Sequence, residues 1–254
     1  MTNKRIGVIP DIHERQQIAH DLIRFLFDEE RVDEIVLLGD YFDTFDKKAV
    51  EEEEFYFSWL SNVFADERVI PLLGNHDIHY MTSEGKYACS GFAPRKVQLM
   101  DKWFGHYGNR FPKRFIYPIQ LEDGEVLLFS HAGIHTGMLN PMADITKAET
   151  FDKLNESMVS EFMLGRYDSR IGPGRLRGGW ERKGGVVWQD WREFEVIDGL
   201  TQIVGHTIGE EARWRFSDDG NSISFNVCID TEMSHYAVVE VFDGEAVVSV
   251  KERR

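Results

Sequence analysis

Five short blocks of this 254-residue chain are dense in groups that bind cations or move protons. They are Asp11-Ile-His13, Gly39-Asp40-Tyr-Phe-Asp43, Gly74-Asn75-His76-Asp77, Ser130-His131-Ala-Gly133 and Gly205-His206-Thr207. Together they offer carboxylates, imidazoles and one amide, the donor set of a hydrolytic centre built on two divalent cations. Asp11 and His13 are two residues apart, so in extended backbone they point the same way and can grip one ion. A carboxylate has two oxygens, so Asp40 could bridge two ions held roughly 3.5–4 Å apart. Asn75 offers a neutral oxygen. Its neighbour His76 could face a leaving group, with Asp77 orienting the ring and raising its basicity. Asp43 suits a supporting place rather than a ligand's. Alone, each block reads as an ordinary turn or a structural histidine. Their occurrence together, each at or near the end of an apolar run, argues for a metal centre.

Elements that end at these blocks must position them. Residues 5–10, 34–38 and 68–73 are continuous apolar runs, and the first three blocks follow them. Between them, residues 16–27 carry apolar side chains at helical spacing, and residues 47–64 read as a helix with an acidic start. Strand–helix–strand–helix–strand implies parallel pairing and burial on both faces. Ligands in such sheets gather beyond the carboxyl ends of the strands. Residues 95–107 predict a helix. Residues 114–120 and 125–129 predict a hairpin joined through Glu122-Asp-Gly124. Residues 142–163 predict a helix, residues 165–185 a glycine-rich loop, and residues 201–204 a strand. Three further β runs, 222–229, 236–242 and 246–251, read as antiparallel.

With 42% hydrophobic and 13% aromatic residues, the chain should bury a large aromatic core. A net charge of −15, from 44 acidic and 29 basic residues, disfavours nucleic acid and anionic membranes as partners. Residues 166–183 depart from this balance, with six basic and two acidic side chains. They could form a basic patch facing an anionic substrate. Only Cys89 and Cys228 occur, which suits free thiols in a reducing compartment. With no apolar 18-mer and no leader pattern, the expected location is cytoplasmic.

The five blocks, in this order, resemble those of the calcineurin-like metallophosphoesterase superfamily. The resemblance runs from Asp11 to about Phe242. It is strongest to the protein serine/threonine phosphatases and the symmetrical diadenosine tetraphosphate hydrolases. Gly74-Asn-His-Asp-Ile-His79 and Ser130-His-Ala-Gly-Ile134 are similar to the latter, and Asn226-Val-Cys-Ile-Asp230-Thr231 resembles part of the family's closing strands. The resemblance implies an α/β fold: a four-layer αββα sandwich of two mixed sheets flanked by helices. It also implies one domain over residues 1–254, with cap or loop insertions near 81–113 and 140–192. By position, Asp11 and His13 would bind one ion, Asp40 would bridge, and Asn75, His131 and His206 would bind the second. His76 would be the proton donor, oriented by Asp77. Three departures stand out. Glu14 occupies a place where the family usually has glycine, Thr44 one where the protein phosphatases carry a phosphate-gripping arginine, and Ile208 one where many nucleases carry another histidine. A replacement grip would come from Arg95, Arg170, Arg175 or Arg177, since guanidinium binds phosphate in a bidentate fork.

The expected activity is hydrolysis of phosphomonoesters, on a phosphoprotein, a nucleotide or a small phosphate ester. The mechanism would be in-line attack by a hydroxide bridging the two cations. Mixed N/O donors favour transition-metal ions, Mn²⁺ foremost, with Fe, Zn²⁺, Ni²⁺ or Co²⁺ as alternatives. The competing expectation is a dinucleoside polyphosphate hydrolase, with Tyr80, Phe92, Trp103, Trp180 or Trp188 stacking on adenine. A phosphodiesterase or nuclease, or a fold kept for binding alone, ranks lower.

Overall fold

The computed structural model describes residues 3–44, 50–82, 87, 89–218 and 223–253. Its first half alternates as the apolar runs imply: β1 (Lys4–Ile9), α1 (Gln16–Asp28), β2 (Glu34–Leu37), α2 (Val50–Phe64) and β3 (Val69–Pro71). The three strands pair in parallel, Ile6 opposite Glu34 and Ile35 opposite Val69. The expected first residues of α2 lie outside the described residues. A short helix, α3 (Asn75–Ile78), begins at the third block, and α4 (Pro94–Phe104) follows. Gly105, at φ 77°, ends α4 a turn earlier than the apolar spacing suggests.

The second half builds a second sheet. β4 (Ile116–Gln120) and β5 (Val126–Ser130) form the expected antiparallel hairpin. Then come α5 (Ala148–Met163), β6 (Leu200–Val204), β7 (Arg213–Asp218), β8 (Ile223–Cys228), β9 (His235–Phe242) and β10 (Glu245–Glu252). Helix α5 starts six residues later than predicted. The Asp144 side chain accepts from the Thr146 backbone N–H, and its carbonyl accepts from the Thr150 hydroxyl, which holds those residues in a turn. Strand β7 is a correction to the expected element order, which has no strand between residues 204 and 222. Its Arg-Trp-Arg-Phe alternation belongs to a sheet edge with little apolar cover. The antiparallel expectation for the last strands also holds only in part, since β8 runs parallel to β6.

The two five-stranded mixed sheets have the orders β10-β9-β1-β2-β3 and β4-β5-β6-β8-β7. Alternate residues of each strand face opposite layers, as strand geometry requires. Ile6, Val8, Val36 and Leu38 from the first sheet meet Leu127, Phe129, Ile203 and Val227 from the second in one apolar layer. Their neighbours Ile9, Ile35, Leu37, Val126 and Leu128 pack instead with Leu22 and Leu26 of α1, Phe57 and Leu60 of α2 and Phe151 and Met158 of α5. The result is the four-layer αββα arrangement. Among the described residues no helix is long and apolar enough to cross a membrane.

Candidate active site

Every block sits just past the carboxyl end of a parallel strand, on one edge of the sandwich. Asp11 and His13 follow β1, Asp40 follows β2, and Asn75 and His76 open α3 after β3. His131 follows β5 and His206 follows β6. Hydrogen bonds cross the gap between the sheets at this edge. His131 Nδ1 lies 2.9 Å from the Leu38 carbonyl, and the His206 N–H donates to the Asp11 carboxylate at 3.0 Å. His13, Asp40 and His206 all adopt positive φ (45°, 50° and 67°). Left-handed backbone at non-glycine residues is uncommon and concentrates at functional sites.

The side chains meet as two groups sharing one carboxylate. Asp11, His13 and Asp40 form one, and Asp40, His131 and His206 the other, with donor atoms of each group within 4.8 Å. Because His131 gives Nδ1–H to the Leu38 carbonyl, Nε2 is the nitrogen left to take a second proton or an ion. That nitrogen faces Asn75 Oδ1 at 3.1 Å, His206 Nδ1 at 3.1 Å and Asp40 Oδ2 at 3.4 Å. His13 is arranged alike, with Nδ1 2.9 Å from the Phe42 carbonyl and Nε2 3.8 Å from Asp40 Oδ2. Such a crowd of buried acceptors requires positive charge among them. One proton cannot serve the whole set, whereas divalent cations can. The donors therefore fit a metal pair. The same crowding perturbs titration. Burial opposes the charge on His131, but Asp40 and Asp11 raise its pKa to about 9. Burial raises Asp11 to about 6. Burial, with His131 and Arg177 close by, pushes His206 well down.

Two glycines keep the centre open. A Cβ on Gly74 would lie 2.1 Å from Asp40 Oδ1, and one on Gly205 would lie 2.2 Å from Asp11 Oδ1. No side chain fits at either place without displacing a carboxylate of the site.

His76 lies beside this centre, its ring edge-on to His13 with centroids 5.1 Å apart. Its expected partner is corrected. The Asp77 carboxylate is turned to the backbone, accepting from the N–H groups of Gly74, Asp40 and Tyr41 at 2.7–2.8 Å. Asp43 is the group that meets the ring, with Oδ2 3.0 Å from His76 Nδ1. Burial opposes a charged His76, but Asp40 and the Asp43 contact raise it to about 11. Asp43 is itself surrounded by donors: Tyr80 Oη at 2.5 Å, Lys96 Nζ at 3.1 Å and His79 Nε2 at 2.8 Å. Although buried, it is held well below the usual carboxylate range, chiefly by the His76 and His79 contacts.

This surround is not legible in the spacing of the blocks. Glu14, the residue standing where glycine is usual, adopts φ 59°, is buried, accepts from the Asp43 N–H at 3.0 Å and pairs with the buried Lys96. The one available signal was His79, three residues past His76 and so on the same helical face. Cys89 Sγ lies 3.2 Å from His79 Nδ1 and 3.6 Å from His76 Nδ1. Cys89 and Cys228 are both free thiols.

Of the four arginines, Arg177 alone is drawn to the centre. Its guanidinium donates to Oγ1 of Thr207, the residue after His206, at 3.2 Å and pairs with Asp190 at 2.9 Å. Arg95 is bound to Glu53, Arg170 is bound to Asp168 and Ser157, and Arg175 is exposed. Ile208 is 54% exposed, clear of the buried donors. Among the aromatic candidates, Tyr80 is buried with its hydroxyl on Asp43 and stacks on the partly exposed Phe92, which is edge-on to His79; Trp188 is edge-on to His206, and Trp180 stands in solvent.

The profile of the calcineurin-like phosphoesterases matches residues 4–207. No curated protein matches this sequence significantly. A cold-active protein tyrosine phosphatase structure shares 16% identity, covering 96% of this chain and 78% of its own, with a TM-score of 0.54. A Saccharomyces cerevisiae protein serine/threonine phosphatase shares 13%, covering 99% and 80%, at 0.45. A structure described as a putative diadenosine tetraphosphatase shares 14%, covering 97% and 93%, at 0.44. At such identities the first of these shares the fold with this chain and nothing finer. The profile match covers most of the chain and spans all five blocks, and the sandwich presents their side chains at one edge: this chain belongs to the calcineurin-like phosphoesterase family.

Proposed function

We propose that the protein hydrolyses phosphate monoesters at a pair of divalent transition-metal ions, Mn²⁺ foremost. One observation carries this reading: two groups of buried donors share the single carboxylate of Asp40. Asp11 and His13 would hold one ion, Asn75, His131 and His206 the other, and Asp40 both. Bound there, the ions would supply Lewis acidity toward phosphoryl oxygens and lower the pKa of water. The chain's own residues do the rest. Asp43 occupies Nδ1 of His76, which leaves Nε2 as the nitrogen that can donate a proton to the departing oxygen. Arg177, tethered by Asp190 and Thr207, supplies a guanidinium beside the centre for the non-bridging oxygens. It is the reading's replacement for the arginine absent at Thr44.

The test is hydrolysis of an aryl phosphate monoester by the Mn²⁺-loaded protein. Chelation should abolish turnover. His76→Ala should lower kcat about 10²–10⁴-fold while metal content is retained. Arg177→Ala should raise KM more than it lowers kcat. Faster turnover of an aryl diester than of the monoester would overturn the monoesterase reading.

A further inference from the structure

Beside the proposed two-ion centre lies a second, softer set of donors. Asp43, His76, His79 and Cys89 each offer one atom within 4.8 Å of the others. This set differs in kind from the first because it contains a thiol. We propose that it is a third metal site, selective for a thiophilic ion such as Zn²⁺, and that its occupation switches the enzyme off by capturing His76.

The distances fit. Tetrahedral zinc, with bonds of about 2.0–2.3 Å, sets its donors roughly 3.2–3.7 Å apart. Cys89 Sγ stands 3.2 Å from His79 Nδ1 and 3.6 Å from His76 Nδ1, and Asp43 Oδ2 stands 3.0 Å from His76 Nδ1. The carboxylate is already aimed. Its Oδ1 is held by Tyr80 and Lys96, while Oδ2 faces His76 Nδ1 and His79 Nε2, so an ion bound through His79 Nδ1 would take Oδ2 over from these two contacts. His79 has no exposed side-chain surface, while Cys89 is only partly buried, so an ion would enter from the cysteine side. Thiolate with imidazole selects zinc over manganese, whereas the two-ion centre has only nitrogen and oxygen donors. Coordination would displace the proton on the Cys89 thiol and the one His76 Nδ1 shares with Asp43. His76 could then no longer form the imidazolium that serves the leaving group. The inhibitory half of this proposal rests on the acid role given to His76 above. The metal-binding half does not.

The experiment separates the two. Mn²⁺-loaded protein titrated with Co²⁺ should develop a near-ultraviolet thiolate-to-cobalt charge-transfer band. The band should persist in Cys228→Ser and vanish in Cys89→Ser. No band in the parent protein, or an undiminished band in Cys89→Ser, overturns the site whatever the enzyme's activity. In the aryl monoester assay with Mn²⁺ in excess, added Zn²⁺ should inhibit. Normalised to each variant's own Mn²⁺ rate, half-inhibition should move at least about tenfold higher in Cys89→Ser and in His79→Gln. Unchanged half-inhibition in both variants overturns the switch. If no variant hydrolyses any phosphate ester under any metal, the phosphatase reading fails and the cobalt result still decides the site.

Discussion

Two aspartates illustrate how position in sequence and position in space part company. Asp77 is next to His76 in the chain, yet its carboxylate serves three backbone N–H groups that hold the turns carrying Asp40 and α3. Asp43 is 33 residues from His76 in the chain, yet meets its ring. The two should fail differently. Asp77→Ala leaves buried N–H groups unpaired and should cost about 3 kcal/mol or more of stability, read as a lower urea midpoint. Asp43→Asn leaves the buried Lys96 and His79 facing a neutral amide and should also cost stability, but it should in addition lower kcat about 10–100-fold, the usual penalty for removing the group that orients a functional imidazole. A large kcat loss in Asp43→Asn with unchanged metal content would fit this assignment, and parental kcat would sink it. Residue types and the order of the blocks were legible because metal chemistry restricts donors to a few side chains. Which carboxylate faces which ring was not, since that depends on how the turns after β2 and β3 stack.

At the scale of elements, each functional group is held at a strand end, and its neighbours are chosen for clearance. Gly74→Ala would drive a methyl into Asp40 Oδ1, so the variant should fold but bind markedly less Mn²⁺, measured by metal content after desalting. Full metal content would show that the turn can yield. The turn at Asp190 is a second device. Asp190 caps the short helix at Trp191–Glu193 and pairs with both Arg177 and Arg192. Burial works against its charge, but Arg192 and Arg177 bring it down to about 2. A carboxylate whose pKa falls on folding contributes stability that is full above the unfolded value, about 4, and is lost as pH falls toward the folded value. The urea midpoint of the parent should therefore exceed that of Asp190→Asn near neutral pH, and the gap should narrow between about pH 4 and 2. A gap constant across that range would contradict the ion-paired assignment. The main strands and helices were readable from apolar runs and helical spacing. Strand β7 was not, because an edge strand with alternating arginines and aromatics lacks the apolar run used to find the others.

At the scale of the whole molecule, the centre is the place where two sheets are joined. Asp11, His13, Asp40 and Asn75 come from one sheet and His131 and His206 from the other, and the apolar layer between the sheets sets their separation. An ion bound across this seam stabilises the folded state by its binding free energy, about 2.7 kcal/mol at a hundredfold excess over Kd. For a chain of this length that amounts to a rise in Tm of roughly 5–10 °C. Mn²⁺ should therefore raise Tm in the parent and far less in His131→Ala. Equal shifts in both would mean that the ion binds elsewhere.

The sequence by itself determined the donor inventory, its order along the chain, the strand that carries each block and the family those blocks resemble. These are local matters: a side chain's chemistry and the period of its neighbours are written in the chain. Only the tertiary structure decided that Asp43 rather than Asp77 meets His76, that Glu14 and Lys96 brace that pair, that Arg177 rather than Arg95, Arg170 or Arg175 reaches the centre, and that Cys89 comes within reach of the same histidine. Each of those contacts joins residues far apart in the chain, and they become neighbours only when two sheets and their loops close on one edge and exclude water from between them.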